Sequence, residues 1–148
     1  MKYIIIFLLT VVSLSTQAQT TTPHIEFNTG FSTGIIPAFP GGSLLYGATT
    51  KWNSGIIFDY QGGLAFPSLL TGKMGIGYDI DGTEATVGFR VWPPTSYAQV
   101  TINRPDRRSD IVLSVERMLW SDYLFVQQAI FTIGWRFDNK KYKDIRHK

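Results

Sequence analysis

Apolar and polar residues take turns along most of this chain. In QAIFTIGWRF, from Gln128 to Phe137, Ala129, Phe131, Ile133, Trp135 and Phe137 fall on one side, and Gln128, Ile130, Thr132, Gly134 and Arg136 on the other. Side chains of an extended strand point alternately to its two faces, so a period of two marks a strand with one apolar face. Eight segments carry that period: 24–35, 43–52, 55–66, 70–80, 84–92, 97–103, 110–119 and 128–137. Short connections separate them. Asp81-Gly82 is a hairpin signal, and IPAFPGG (residues 36–42), PPTS and RPDRRS read as loops. No segment after the first stretch has a helical period. The pattern predicts an all-β chain, an eight-stranded antiparallel up-and-down β-barrel.

Alternation alone does not say which face is inside, but the make-up of the polar face does. Gly30, Gly34, Gly47, Gly63, Gly75, Gly77, Gly88 and Gly134 lie on it, among Ser, Thr, Asn and Gln. A water-facing surface has no need of such small residues. The interior of an eight-stranded barrel is only just wide enough for side chains and does need them. The polar face is therefore expected inside and the apolar face outside against lipid, which makes the barrel transmembrane. Glu26, Asp59, Lys73, Asp79, Glu84, Arg90, Glu116 and Arg136 then become a lumen charge network, paired because an isolated buried charge costs several kcal/mol. Tryptophans mark the ends of the strands. Trp52 and Trp135 fall on the side of the termini, and Trp92 and Trp120 on the other, joined there by Phe39, Phe66, Tyr97 and Tyr123. Two aromatic levels of this kind are expected at the two interfaces of a membrane barrel.

The N-terminus carries its own signal. Lys2, the apolar run Tyr3 to Leu14, and small residues up to Ala18 resemble a secretory signal peptide cleaved after Ala18. Residues 1–18 are thus expected to direct export, with 19–137 forming the barrel and 138–148 a basic tail. That tail, DNKKYKDIRHK, holds five bases and two acids, and without it the mature chain is close to neutral. The basic pI therefore belongs to the tail, and no nucleic-acid partner is expected. The chain has no cysteine, which excludes disulfides, thiolate sites and a lipidated N-terminus. Its two histidines, His24 and His147, are too few for a zinc cluster. His24 reads as a solvated residue at a strand start. GIGYD, from Gly75 to Asp79, lies in a strand with no helix after it, unlike a phosphate loop. No catalytic residue, metal site or cofactor is expected.

FTIGWRF, from Phe131 to Phe137, resembles the terminal strand of bacterial outer-membrane β-barrels. With the signal peptide and the eight strands, it makes the mature chain similar in pattern to the small OmpA-like and OmpX-like barrels. The chain continues eleven residues past Phe137. The resemblance implies that Phe131, Ile133, Trp135 and Phe137 form the signal read by the barrel-insertion machinery. It further implies residence in the outer membrane of a diderm bacterium, contact with its lipid, and a non-enzymatic structural or interaction role in the cell envelope. The alternative is a secreted, soluble, lipocalin-like carrier of a small apolar ligand, with the apolar face turned inward.

Overall fold

The computed structural model describes residues 18–34, 39–66, 68–119 and 127–138. The expected signal segment up to residue 17, the tail beyond Asp138, and Trp120 and Tyr123 lie outside them. The described residues form β1 (Ala18–Gly34), β2 (Phe39–Trp52), β3 (Ile56–Phe66), β4 (Leu69–Ile80), β5 (Thr83–Arg90), β6 (Thr95–Ile102), β7 (Asp110–Met118) and β8 (Gln127–Asp138). Each strand pairs antiparallel with the next, and β1 pairs with β8 to close the barrel. Closure removes the open edges that an eight-stranded sheet would otherwise present. The described residues contain no helix.

Strand faces follow the alternation. In β3 the inward Ile57, Asp59 and Gln61 are buried, while Ile56, Phe58 and Tyr60 are exposed. In β8 Gly134 and Arg136 are buried, and Phe131, Ile133, Trp135 and Phe137 are exposed. Polar and charged groups thus form most of the interior, with Leu45, Ile57, Tyr97 and Val112 as apolar members of it. Tyr97 corrects an expectation. It shares the inward parity of Gln99 and is buried at 4% exposure, so it is no part of an outer aromatic level.

Strand ends differ from the sequence reading at β1, β2, β5 and β6, the last beginning at Thr95 inside the expected PPTS loop. β1 starts at Ala18, six residues before His24, because Thr20 to Pro23 pair with Ala48 to Lys51 of β2. β2 begins at Phe39, and its FPGG segment, expected as loop, pairs with Thr29 to Ser32. Pro40 is tolerated there because it stands at the first residues of a strand. β5 stops at Arg90, leaving Val91 and Trp92 in the turn 91–94. The Asp81-Gly82 hairpin turns as its sequence suggests, with both residues at positive φ (50° and 85°).

Lumen space turns out not to be the main reason for the inward glycines. A Cβ on Gly77 would lie 2.0 Å from the Ala85 carbonyl oxygen, and one on Gly30 the same distance from that of Phe131. The neighbouring strand's backbone already occupies the place of the side chain, as at a tight bend of a barrel wall. Gly77→Ala is therefore expected to destabilise the fold by about 1–3 kcal/mol through forced backbone shifts. Gly62→Ala, whose Cβ would meet only the Thr71 carbonyl at 3.9 Å, is expected to change little. Denaturation midpoints of the two variants test this, and an equal midpoint for both would show that β4 has room at Gly77.

Candidate functional site

The barrel has two rims. The start of β1, the end of β8 and the turns 53–55, 81–82 and 103–109 make the terminal rim; the end of β1, the start of β2, the facing ends of β3 and β4, the turn 91–94, the end of β7 and the start of β8 make the far rim. Between them the inward charged residues of six strands, with neutral partners from the other two, converge on one network.

Its larger centre is Arg136. From β8 the guanidinium donates to Glu26 Oε2 of β1 from Nε and Nη2 at 3.0 and 2.8 Å, and from Nη2 to Asp59 Oδ2 of β3 at 3.1 Å. Nη1 donates to Glu84 Oε2 of β5 at 3.2 Å. One cation thus serves three carboxylates drawn from three other strands. Neutral donors add to the bonds of Glu26 and Asp59. Asn28 Nδ2 donates to Glu26 Oε1 at 2.9 Å, Gln61 Nε2 to Asp59 Oδ2 at 2.7 Å, and Thr49 Oγ1 to Asp59 Oδ1 at 2.9 Å.

The second centre lies toward the far rim. Arg90 of β5 holds Glu116 of β7 with a two-pronged contact, Nε to Oε2 at 2.7 Å and Nη2 to Oε1 at 2.5 Å. The planar fork matches the carboxylate, which is why arginine suits such a position. Thr95 donates to Glu116 Oε2 at 3.1 Å, and Arg90 Nη1 donates to Thr71 Oγ1 at 3.0 Å. Lys73 of β4 joins the two centres, with Nζ 3.7 Å from Glu116 and 4.0 Å from Glu26. It donates to Gln99 Oε1 at 2.9 Å and sits 4.7 Å from the centroid of the Tyr97 ring, a cation–π contact.

Of the eight charged residues that the sequence assigns to the lumen, the structure brings seven into these contacts. Six of them (Glu26, Asp59, Lys73, Arg90, Glu116 and Arg136) are no more than 7% exposed, and Glu84 is half-buried. Asp79 stands apart. It pairs with Lys51 at the terminal rim and accepts the Gly82 amide at 2.9 Å, so it fastens the β4–β5 turn instead.

His24 belongs to the interior, contrary to its reading as a solvated strand start. The early start of β1 places it well inside the paired stretch, opposite Asp138, on the same face as Glu26. It is 2% exposed, with Nε2 3.6 Å from Asp59 Oδ1. Neither ring nitrogen makes a hydrogen bond, and the nearby Thr49 hydroxyl donates to Asp59 instead. A histidine base paired with a nucleophile is therefore not built here, and the described residues contain no group of three metal-ligating side chains. Sequence reasoning missed Asn28, Thr49, Gln61, Gln99 and His24 as members of the network. Their signal was present in inward parity: His24 and Asn28 flank Glu26 two residues away, Gln61 lies two after Asp59, and Thr49 and Gln99 stand on the polar faces of their own strands.

The aromatic positions divide between the rims. Trp52 ends β2 and Trp135 stacks on Phe27 near the end of β8, with ring centroids 6.3 Å apart. Trp92 lies exposed in the far-rim turn 91–94. Hollows follow the same inversion of inside and outside. The terminal mouth holds a polar cavity of about 80 Å³, lined by Lys51, Glu84, Thr101, Asp110 and Arg136 among others. An apolar groove of about 770 Å³ lies on the outer wall, between rows of outward side chains such as Phe31, Phe131, Val115, Val87 and Ile76.

No family model, curated protein or solved structure matches this chain.

Proposed function

We propose that this chain is a non-enzymatic integral β-barrel of the outer membrane of a diderm bacterium, with a structural or interaction role in the cell envelope. The observation that carries the reading is the inverted packing. Charged side chains fill the centre, while Phe27, Tyr46, Phe58, Ile76, Val87 and Ile133, among many others, stand outside at 39–65% exposure. Water would oppose so large a contiguous apolar surface, whereas hydrocarbon accepts it, and the closed ladder satisfies the backbone within the wall. Strands of 8 to 17 residues are consistent with tilted transmembrane strands of about 9–11 residues. The export signal expected from the N-terminal sequence and the exposed aromatic residues at the strand ends support the same reading. The outward row Phe131, Ile133, Trp135 and Phe137 supports recognition by the insertion machinery, with outer-membrane lipid as the partner around the wall.

A lipocalin-like carrier would need an apolar interior able to enclose a ligand, typically about 300–1,000 Å³. The interior here is filled by ion pairs, and the apolar groove is outside. Cell fractionation, followed by gel electrophoresis with and without boiling, tests the proposal. The protein is expected in the outer-membrane fraction, with a mobility that changes on heating. Recovery in the soluble fraction with heat-independent mobility would reject it.

A further inference from the structure

The two rims end in opposite chemistries. At the terminal rim the tips are polar and exposed: Asn53 and Ser54, Asp81, and Asp106, Arg107 and Arg108. At the far rim the described tips of β3, β4 and β5 are apolar. Phe66 is 64% exposed, Leu69 75%, Leu70 68%, Val91 62% and Trp92 60%. The outward row runs up to this end through Leu64, paired with Leu70, so Phe66, Leu70 and Val91 continue the apolar wall, while Leu69, with the parity of the inward Thr71 and Lys73, adds an exposed apolar side chain at the strand end itself.

Leu69 makes the contrast sharper. It begins β4 just after the tight turn and has φ 64°, in the left-handed region that residues with a Cβ adopt only at a cost. Turns that need this conformation normally use Gly or Asn, and both also suit water. A leucine there suits neither the backbone nor an aqueous tip. The β3–β4 turn is also too short to lift these side chains away from the wall on a polar loop.

Resting on the membrane-barrel reading, we infer that the far-rim ends of β3, β4 and β5 are immersed in bilayer hydrocarbon instead of projecting from it. The barrel then sits unevenly, with its polar terminal rim in water and this part of the far rim below the headgroups. The occupant of the apolar tips is acyl chain.

The chain has no cysteine, so single-cysteine spin labels report one site each. Leu69→Cys, Leu70→Cys, Val87→Cys and Asn53→Cys, each in the full chain, are folded into dilauroylphosphatidylcholine vesicles. Collision with oxygen, which concentrates in hydrocarbon, is compared with collision with a water-soluble nickel chelate. Labels at 69 and 70 are expected to match the label at 87, open to oxygen and shielded from nickel, and to differ several-fold from 53. Nickel access at 69 or 70 equal to that at 53 would overturn the inference and show a tip in water. Shielding from both reagents would overturn it in favour of a protein contact. If the label at 87 is itself open to nickel, the membrane barrel fails together with the inference, so the two failures are distinct. Leu70→Cys keeps the test open should Leu69→Cys not fold.

Discussion

Arg136→Met is expected to destabilise the barrel by about 3–5 kcal/mol, the usual cost of removing one partner from a buried ion pair. The side chain donates to Glu26, Asp59 and Glu84, so its loss leaves three carboxylates facing one another around the site of the lost charge. Lys73, 4.0 Å from Glu26, is already engaged with Gln99 and Glu116 and cannot replace it. Arg90→Met is expected to cost less, because Lys73 remains 3.7 Å from the stranded Glu116. Arg107→Met, in the exposed loop 103–109, is expected to stay within about 0.5 kcal/mol of the parent. Unfolding by urea from lipid vesicles or detergent gives the three values. Equal stabilities for Arg136→Met and Arg107→Met would mean that Arg136 does not lie in a closed interior.

Arginine placed along the outward row of β5 is expected to show a depth profile. Val87 is exposed at 59%, pairs with Ile76 and Ala98, and lies midway along its strand, where the hydrocarbon is thickest in the proposed membrane. Val87→Arg should cost about 2–4 kcal/mol, and arginine at an interfacial position such as Trp52 only about 0–1 kcal/mol. The measurement is the folding free energy into vesicles with arginine at 85, 87, 89 and 91 in turn. Positions 89 and 91 approach the far rim, where the uneven seating inferred above would keep the cost high; position 85, nearer the polar terminal rim, should cost less than 87. A flat profile over all four positions, or a protein folded in plain buffer that does not enter vesicles, would reject the membrane reading.

The number of strands, and the face that each residue takes, were legible in the chain because alternation is a local property. Asp59 and Gln61 share a face by covalent geometry, whatever lies across from them. The same parity put most of the charges inside and the row from Phe131 to Phe137 outside before any partner strand was known. Where the local signal was overridden, the cause was pairing. FPGG reads as a loop by its prolines and glycines, yet it becomes strand because β1 extends far enough to hold it.

What each inward residue meets was decided by register and closure. Arg136 reaches Glu26 only because β8 returns to β1, 110 residues away in sequence, and reaches Asp59 and Glu84 only across the bore. His24 shares the inward parity of Glu26, but only the pairing of β1 with β2 and β8 puts it inside the wall, and Asp79, beside the β4–β5 turn, meets Lys51 of β2 only because the strands bring them together. The close approach at Gly77 likewise depends on how sharply the wall bends against β5. Sequence by itself determined which side chains face inward and which face outward, since two faces follow from one strand. Tertiary structure alone decided which charges neutralise one another, since an ion pair needs two strands and the bore between them.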